Sequence, residues 1–133
     1  MKTFNQTIAT SVPLNANYNS PYVPLRNIYT YAIQAVITGT PTGTIQLQAS
    51  NDPETNDTQY NVASVSAPLG GRPPAVAPSN WTTITNSPFV VTSSGIEFWN
   101  VNYTGYTFVR VQYIDGSGGT STATMTITFS GKG

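Results

Sequence analysis

Threonine alternates with apolar residues along residues 120–129, near the end of the chain. The apolar positions are Ala123, Met125, Ile127 and Phe129. Because successive side chains of a β-strand point to opposite faces, this pattern predicts a strand with one face in a core and a threonine face at the surface. Thr, Val and Ile supply 41 of the 133 residues and Leu only four. Such β-branched side chains favour strands, so we expect helices to be nearly absent.

The same alternation recurs in shorter segments that turn residues separate. Further strands are predicted at residues 4–10, 28–38, 45–50, 81–85, 88–92, 96–101 and 107–114. The turn Gly-Thr-Pro-Thr-Gly at 39–43 predicts a hairpin between two of them. Seven or eight strands with short turns predict an all-β fold, a single antiparallel β-sandwich of jelly-roll or immunoglobulin-like connection.

Two proline-rich regions interrupt this pattern. Residues 1–27 contain Pro13, Pro21 and Pro24 and are predicted to be an extended N-terminal segment or arm before a sandwich domain at 28–133. This segment either lies across the sheet of its own domain or reaches a neighbouring molecule. Residues 51–80 hold five prolines and predict a long loop, with residues 62–65 as a candidate short strand. The loop either contacts a partner or is a tolerated insertion.

The strand predicted at 96–101 carries apolar side chains on both faces. Ile96 and Phe98 point one way, and Trp99 and Val101 point the other. A strand of this kind is covered on each side, at a corner of the sandwich or under a neighbouring subunit.

Composition excludes several classes of function. The chain has no His and no Cys, which removes imidazole bases, thiol nucleophiles, His/Cys zinc sites and disulfides. Five basic and five acidic residues give a net charge of zero, without the basic field that nucleic-acid binding needs. Residues 1–7 have no apolar run, and no stretch approaches 18 apolar residues, so we expect neither a signal peptide nor a membrane span.

The acidic residues are the remaining candidates for metal binding or catalysis. Asp52, Glu54 and Asp57 lie within six residues, where a Ca²⁺ site competes with a solvated polar turn, and the spacing matches no EF-hand loop. Glycoside hydrolysis needs two carboxyl groups in one cleft, and nothing in the spacing of these residues, Glu97 and Asp115 predicts that. We therefore predict no enzyme, no catalytic residue, no metal site and no cofactor.

Aromatic residues beside Asn and Gln are typical of both sugar-binding faces and protein interfaces. Trp81, Trp99, Tyr103 and Tyr106 flank or end predicted strands. They form either a sugar platform or, for at least two of them, part of the core.

Four segments of the sequence resemble small β-sandwich structural proteins of tailed-bacteriophage virions. They are GTIQLQASND at 43–52, NWTTI at 80–84, YTFVRVQY at 106–113, and the turn GSGG at 116–119 with the threonine-alternating strand after it. The resemblance covers roughly residues 28–133.

This resemblance implies a structural virion protein, with the leading expectation that it is a capsid decoration or cement protein that binds the outside of the head and stabilises it. The implied partners are the major capsid protein and neighbouring copies in a homo-oligomer, which in this group is often a trimer. The alternative is a glycan- or receptor-binding module of a tail or fibre. Thr, Ser, Asn and Gln fill 51 positions while only 8% of residues are charged, and such a neutral polar surface suits packing in an array.

Overall fold

The computed structural model describes residues 3–26, 28–52, 77–102 and 105–133, and within them every regular element is a β-strand. The strands are β1 (Thr3–Pro13), β2 (Tyr18–Asn19), β3 (Val23–Pro24), β4 (Thr30–Thr38), β5 (Gly43–Ser50), β6 (Thr82–Thr83), β7 (Phe89–Val91), β8 (Gly95–Asn102), β9 (Phe108–Asp115) and β10 (Thr124–Lys132). The predicted antiparallel β-sandwich is confirmed. Seven of these strands have three or more residues, and β2, β3 and β6 have two each.

The strands form two sheets in which every pair is antiparallel. One sheet has four strands in the order β1-β10-β4-β8. The other has six, in the order β2-β9-β5-β6, with β3 also paired to β9 and β7 to β5. The chain crosses between the sheets repeatedly, so most strands pair with partners that are distant in sequence.

The core lies between the sheets and is built from alternate residues of the long strands. The fully buried side chains include Ile33, Ile45, Leu47, Val109, Val111, Tyr113, Met125, Ile127 and Phe129. The inward face predicted for β10 is confirmed, because its apolar residues are at most 2% exposed. Within the described part of the chain, no helix is long and apolar enough to cross a membrane.

The predicted hairpin between β4 and β5 is wrong. Strand β4 pairs with β10 and β8, so both of its edges are occupied, and β5 lies in the other sheet. Residues 39–42 instead carry the chain across the sandwich, with Pro41 fully buried and Gly39 at a φ of 98°. A hairpin and a crossing between sheets have the same local signature, namely two alternating strands around a Gly/Pro turn, and only distant strands decide between them.

The N-terminal segment lies on its own sandwich over its described part, residues 3–26. Strand β1 pairs with β10, and β2 and β3 pair with β9. Leu14, Val23 and Leu25 are buried in the common core. The candidate strand at 62–65 and most of the predicted loop lie outside the described residues.

Candidate interaction surface

The outward side of the four-stranded sheet, which we call the outer polar face, is mostly polar, and its exposed large apolar residues are Ile96 and Phe98 at the β8 edge. In β4 and β10 alternate side chains are buried, which places the others on this face. The strand registers align its residues in rows across all four strands. One row is Asn5, Ser130, Ala32 and Asn100, and the next is Thr7, Thr128, Gln34 and Phe98. Among the described residues, Lys132 is the only charged one that points outward here.

A shallow cavity of about 360 Å³ lies at one end of the outer polar face. Its lining includes Thr30, Ala32, Asn100, Asn102, Ser130 and Lys132. Ala32 and Ser130 are small residues on the two central strands, so the surface is lower there than at the edge. Hydroxyl and amide groups surround the cavity, and the Lys132 ammonium supplies the one charge. This chemistry suits polar groups of a docking protein or ligand better than an apolar one.

The outward side of the six-stranded sheet carries a hydrogen-bonded row of amide side chains. Gln46 donates through Nε2 to Gln112 Oε1 at 2.7 Å and to Thr83 Oγ1 at 3.1 Å. Gln112 Nε2 in turn donates to Asn19 Oδ1 at 3.0 Å. The row joins β2, β9, β5 and β6, and it fixes the two glutamine side chains because each of them is hydrogen-bonded to a neighbour on both sides.

Trp81 lies beside this row and is held by two contacts. The Arg110 guanidinium is 4.3 Å from the centre of the indole ring, a cation–π arrangement. The indole N–H of Trp81 donates to the Pro78 carbonyl at 3.1 Å. Arg110 also donates through Nε and Nη2 to Gln48 Oε1, at 2.9 and 2.7 Å, and its partial burial lowers the pKa of its guanidinium. Sequence patterning identified Trp81 but missed Arg110, because no local signal places an arginine over a residue 29 positions away.

The predicted aromatic candidates do not form one platform. Trp99 belongs to the core, and its indole N–H donates to the Ser87 carbonyl at 2.8 Å. Tyr106 is exposed. Burial raises the pKa of the Tyr31 phenol on β4, and Tyr106 lies close enough to raise it further. Tyr103 lies outside the described residues. Of the aromatic candidates that the structure describes, Trp81 is therefore the one that lies among hydrogen-bonded polar side chains.

Asp52, just after β5, is hydrogen-bonded to residues that lie 27 and 28 positions further along the chain. Its carboxylate accepts hydrogen bonds from Asn80 Nδ2 at 2.9 Å and from the backbone N–H groups of Ser79 and Asn80 at 2.7 and 3.0 Å. These bonds, the one from the Asn80 side chain first, hold the pKa of Asp52 below its usual value. Glu54 and Asp57, the other members of the candidate Ca²⁺ loop, lie outside the described residues.

Asp115 has a similar local role in the turn after β9. It accepts hydrogen bonds from the Ser117 hydroxyl at 2.6 Å, the Ser117 N–H at 2.9 Å and the Gly119 N–H at 3.0 Å. The Ser117 hydroxyl is the main cause of its lowered pKa. Asp115 lies opposite Gly43 at the beginning of β5, whereas Asp52 follows the end of that strand. The two carboxylates are thus at opposite ends of the sheet.

Groups of three or more metal-ligating side chains are absent from the described part of the chain. That the protein is not an enzyme stays a prediction.

Comparison with known proteins gives matches of fold. No family model matches the chain, and no curated protein matches it. The solved structure of the SPBc2 prophage-derived protein YomS has a TM-score of 0.52 at 10% identity, over 98% of this chain and 92% of that one. The PBSX exported protein XepA has a TM-score of 0.55 at 11% identity, over 96% of this chain. The chain spans only 36% of the length of XepA. At these identities the likeness establishes a shared β-sandwich fold.

Proposed function

We propose that the chain is a structural virion protein of a bacteriophage, a capsid decoration or cement protein that binds the outside of the head and stabilises it. The outer polar face is the observation that carries this proposal. Docking a surface against another protein removes its groups from water, and buried charges are costly unless they are paired. Among the described residues of this face only Lys132 is charged, so docking would remove one charge from water. The hydroxyl and amide groups of the face can form hydrogen bonds with neutral groups of the docking partner.

The fold supports this proposal in two ways. One of the two similar structures is that of a prophage-derived protein. The strand order also favours the jelly-roll alternative over the immunoglobulin-like one. When β2 and β3, and likewise β6 and β7, are each counted as one edge strand, the chain changes sheet at every step except the one from β5 to β6, whereas an immunoglobulin-like order keeps several pairs of consecutive strands in one sheet. Jelly rolls occur in viral capsid proteins and in lectins. The proposed partners are the major capsid protein and neighbouring copies of the chain, and the proposed location is the virion.

The first test is the copy number of the chain in purified virions, measured by quantitative mass spectrometry. A capsid layer predicts hundreds of copies per particle. A few copies to a few tens would contradict the decoration role and support the tail or fibre alternative. Absence of the chain from purified virions would overturn both.

A pair of matched variants tests the docking face. Ser130→Glu places a charge on the outer polar face, and Thr44→Glu places one on the outward side of the six-stranded sheet, at a site that is also half-buried. We expect Ser130→Glu to weaken binding to particles that lack the protein by about tenfold or more, because its charge loses water on docking. Thr44→Glu should bind as the unchanged chain does. Equal losses from the two variants would contradict docking through this face.

The second candidate function is a glycan- or receptor-binding module, and Trp81 is the observation that favours it. An indole ring beside a guanidinium and a fixed row of amides offers the stacking surface and the hydrogen-bonding groups that a sugar needs. In this case Trp81→Ala would abolish binding to host cells, and Ser130→Glu would not affect it.

A further inference from the structure

The four sheet edges of the sandwich differ in how well they are protected. An edge strand presents unpaired N–H and C=O groups that can pair with another chain, and proteins block such edges with bulges, prolines, charges or short strands. Strand β1 is blocked by irregularity. Its register with β10 shifts between Thr7 and Ala9 and again between Ala9 and Val12. Ser11 has a φ of 48°, and the strand ends at Pro13.

Both edges of the six-stranded sheet are also interrupted. On one side, β2 and β3 have two residues each, Pro21 lies between them, and β3 ends at Pro24. On the other side, β6 has two residues and β7 three. Asn86, at a φ of 65°, and Pro88 lie between these two strands. Neither edge offers a continuous ladder to a partner.

The edge formed by β8 is the one of the four sheet edges that no bulge, proline or break in the strand interrupts. Its residues Gly95–Asn102 keep one register with β4 over eight consecutive pairs, without a bulge or a proline. Its outward apolar side chains are uncovered, since Ile96 is 56% and Phe98 is 54% exposed. The only charged residue of the strand is Glu97, on the inward side. Within the described part of the chain, β8 therefore combines an edge that pairs with no other strand with exposed apolar side chains.

We propose that β8 pairs in antiparallel fashion with β8 of a second copy, so that the two four-stranded sheets become one sheet of eight strands. In the register we propose, Phe98 lies opposite Phe98 of the second copy, and Ile96 lies opposite Asn100. Glu97 then faces Trp99. Opposite residues on one face have Cβ atoms about 5 Å apart, close enough for the two Phe98 rings to contact.

Complementarity of β8 to itself is the reason for choosing a second copy as the partner. Moving the register by two residues one way would place Glu97 opposite Glu97, and like charges directly opposite are destabilising. Moving it two residues the other way would place each Phe98 opposite Asn100 and separate the two rings. The centred register avoids both, and the outward positions Ile96, Phe98, Asn100 and Asn102 carry no charge to repel the same strand of a copy.

The proposed pairing also covers apolar surface beside the strand. A groove of about 320 Å³ separates β8 from the β6–β7 segment, and its lining includes Ile84, Phe89, Phe98, Trp99 and Val101. It runs along the edge that the second copy would occupy. The two-fold axis of such a pair is perpendicular to the sheet, so both outer polar faces point the same way. The pair would therefore double the docking face, and its role in a virion rests on the proposed function.

The absence of cysteine from the chain makes a direct test of the register simple. Purified Ile96→Cys and Asn100→Cys variants are mixed, oxidised mildly and examined by non-reducing electrophoresis. We expect disulfide-linked dimers in the mixture. Each variant alone should give few, because identical residues four positions out of register are about 13 Å apart. Phe98→Cys alone should cross-link, and Thr128→Cys, two strands away on the same face, is the control.

Sedimentation velocity of the otherwise unchanged chain supplies the second measurement. We expect a monomer–dimer equilibrium that Phe98→Lys weakens by about tenfold or more and that Thr128→Lys leaves unchanged. The proposal is overturned by a chain that stays monomeric at all concentrations, by equal cross-linking of Phe98→Cys and Thr128→Cys, or by equal effects of the two lysine variants. Purified protein suffices for all of these, so absence from virions would refute the proposed function without affecting this result.

Discussion

Tyr31 and Tyr113 are both buried in the core, but they differ in whether the hydroxyl group is hydrogen-bonded. Tyr31 is 3% exposed and stacks on Phe129 with ring centres 5.6 Å apart, but its hydroxyl has no hydrogen-bond partner among the described residues. The hydroxyl of Tyr113, also fully buried, donates to the Thr42 carbonyl at 3.1 Å. A buried polar group without a partner costs free energy, whereas a satisfied one contributes to stability.

Removing each hydroxyl should therefore have opposite effects. We expect Tyr31→Phe to raise the free energy of unfolding by about 1 kcal/mol, because an unpaired hydroxyl leaves the core. We expect Tyr113→Phe to lower it by about 1 kcal/mol, because the hydrogen bond from the buried hydroxyl to the Thr42 carbonyl is lost. Urea denaturation followed by circular dichroism measures both. A similar loss in the two variants would show that the Tyr31 hydroxyl has a stabilising partner.

At this same scale, sequence patterning predicted which side chains are buried but not what they contact. Alternation assigns a residue to a face, and the burial of Met125 and Ile127 follows from it directly. The bond between Gln46 and Gln112 joins residues 66 positions apart and depends on the register of β5 with β9. A single sequence does not contain that register, so the amide row and the arginine over Trp81 were not predictable.

Individual strands were predictable because their signal is local. The segments expected at 96–101 and 107–114 appear as β8 and β9 with bounds within a residue. The sheet that a strand joins was not predictable from this local signal, because β4 and β5 are neighbours in sequence but lie in different sheets. The outward side of Phe98 on β8 is exposed, so the described part of the chain does not supply the cover expected there, and cover by a neighbouring subunit remains a proposal.

The crossing between β4 and β5 depends on Gly39. Its φ of 98° is one that residues with a Cβ rarely adopt, and a Cβ built there would lie 3.0 Å from the Ala123 Cα. We expect Gly39→Ala to lower the free energy of unfolding by at least about 1 kcal/mol. Gly95→Ala is the matched control, because a Cβ at Gly95 meets nothing within 4 Å and its φ is ordinary, so a change below about 0.5 kcal/mol is expected. Urea midpoints compare them, and equal stabilities would show that the crossing does not need glycine.

For the whole molecule, residues 3–26 complete the sandwich. Strand β1 covers one edge of β10, and β2 and β3 cover one edge of β9. Leu14, Val23 and Leu25 are buried in the core. At roughly 1.5 to 3 kcal/mol for each such side chain, they contribute about 5 to 9 kcal/mol, which is comparable to the net stability of a whole domain.

We therefore expect a chain that begins at residue 28 to lose cooperative unfolding, measured by circular dichroism on heating. Because a truncated chain can fail for several reasons, point variants of the full chain test the cause. Leu14 is fully buried and its N–H donates to the Ala123 carbonyl at 2.9 Å, so Leu14→Ala should lower the free energy of unfolding by about 2 to 5 kcal/mol. Gln6 is exposed on β1, and Gln6→Ala should change it by less than about 0.5 kcal/mol. A truncated chain that unfolds cooperatively at the temperature of the full chain, with Leu14→Ala as stable as Gln6→Ala, would mean that the segment is a separable arm.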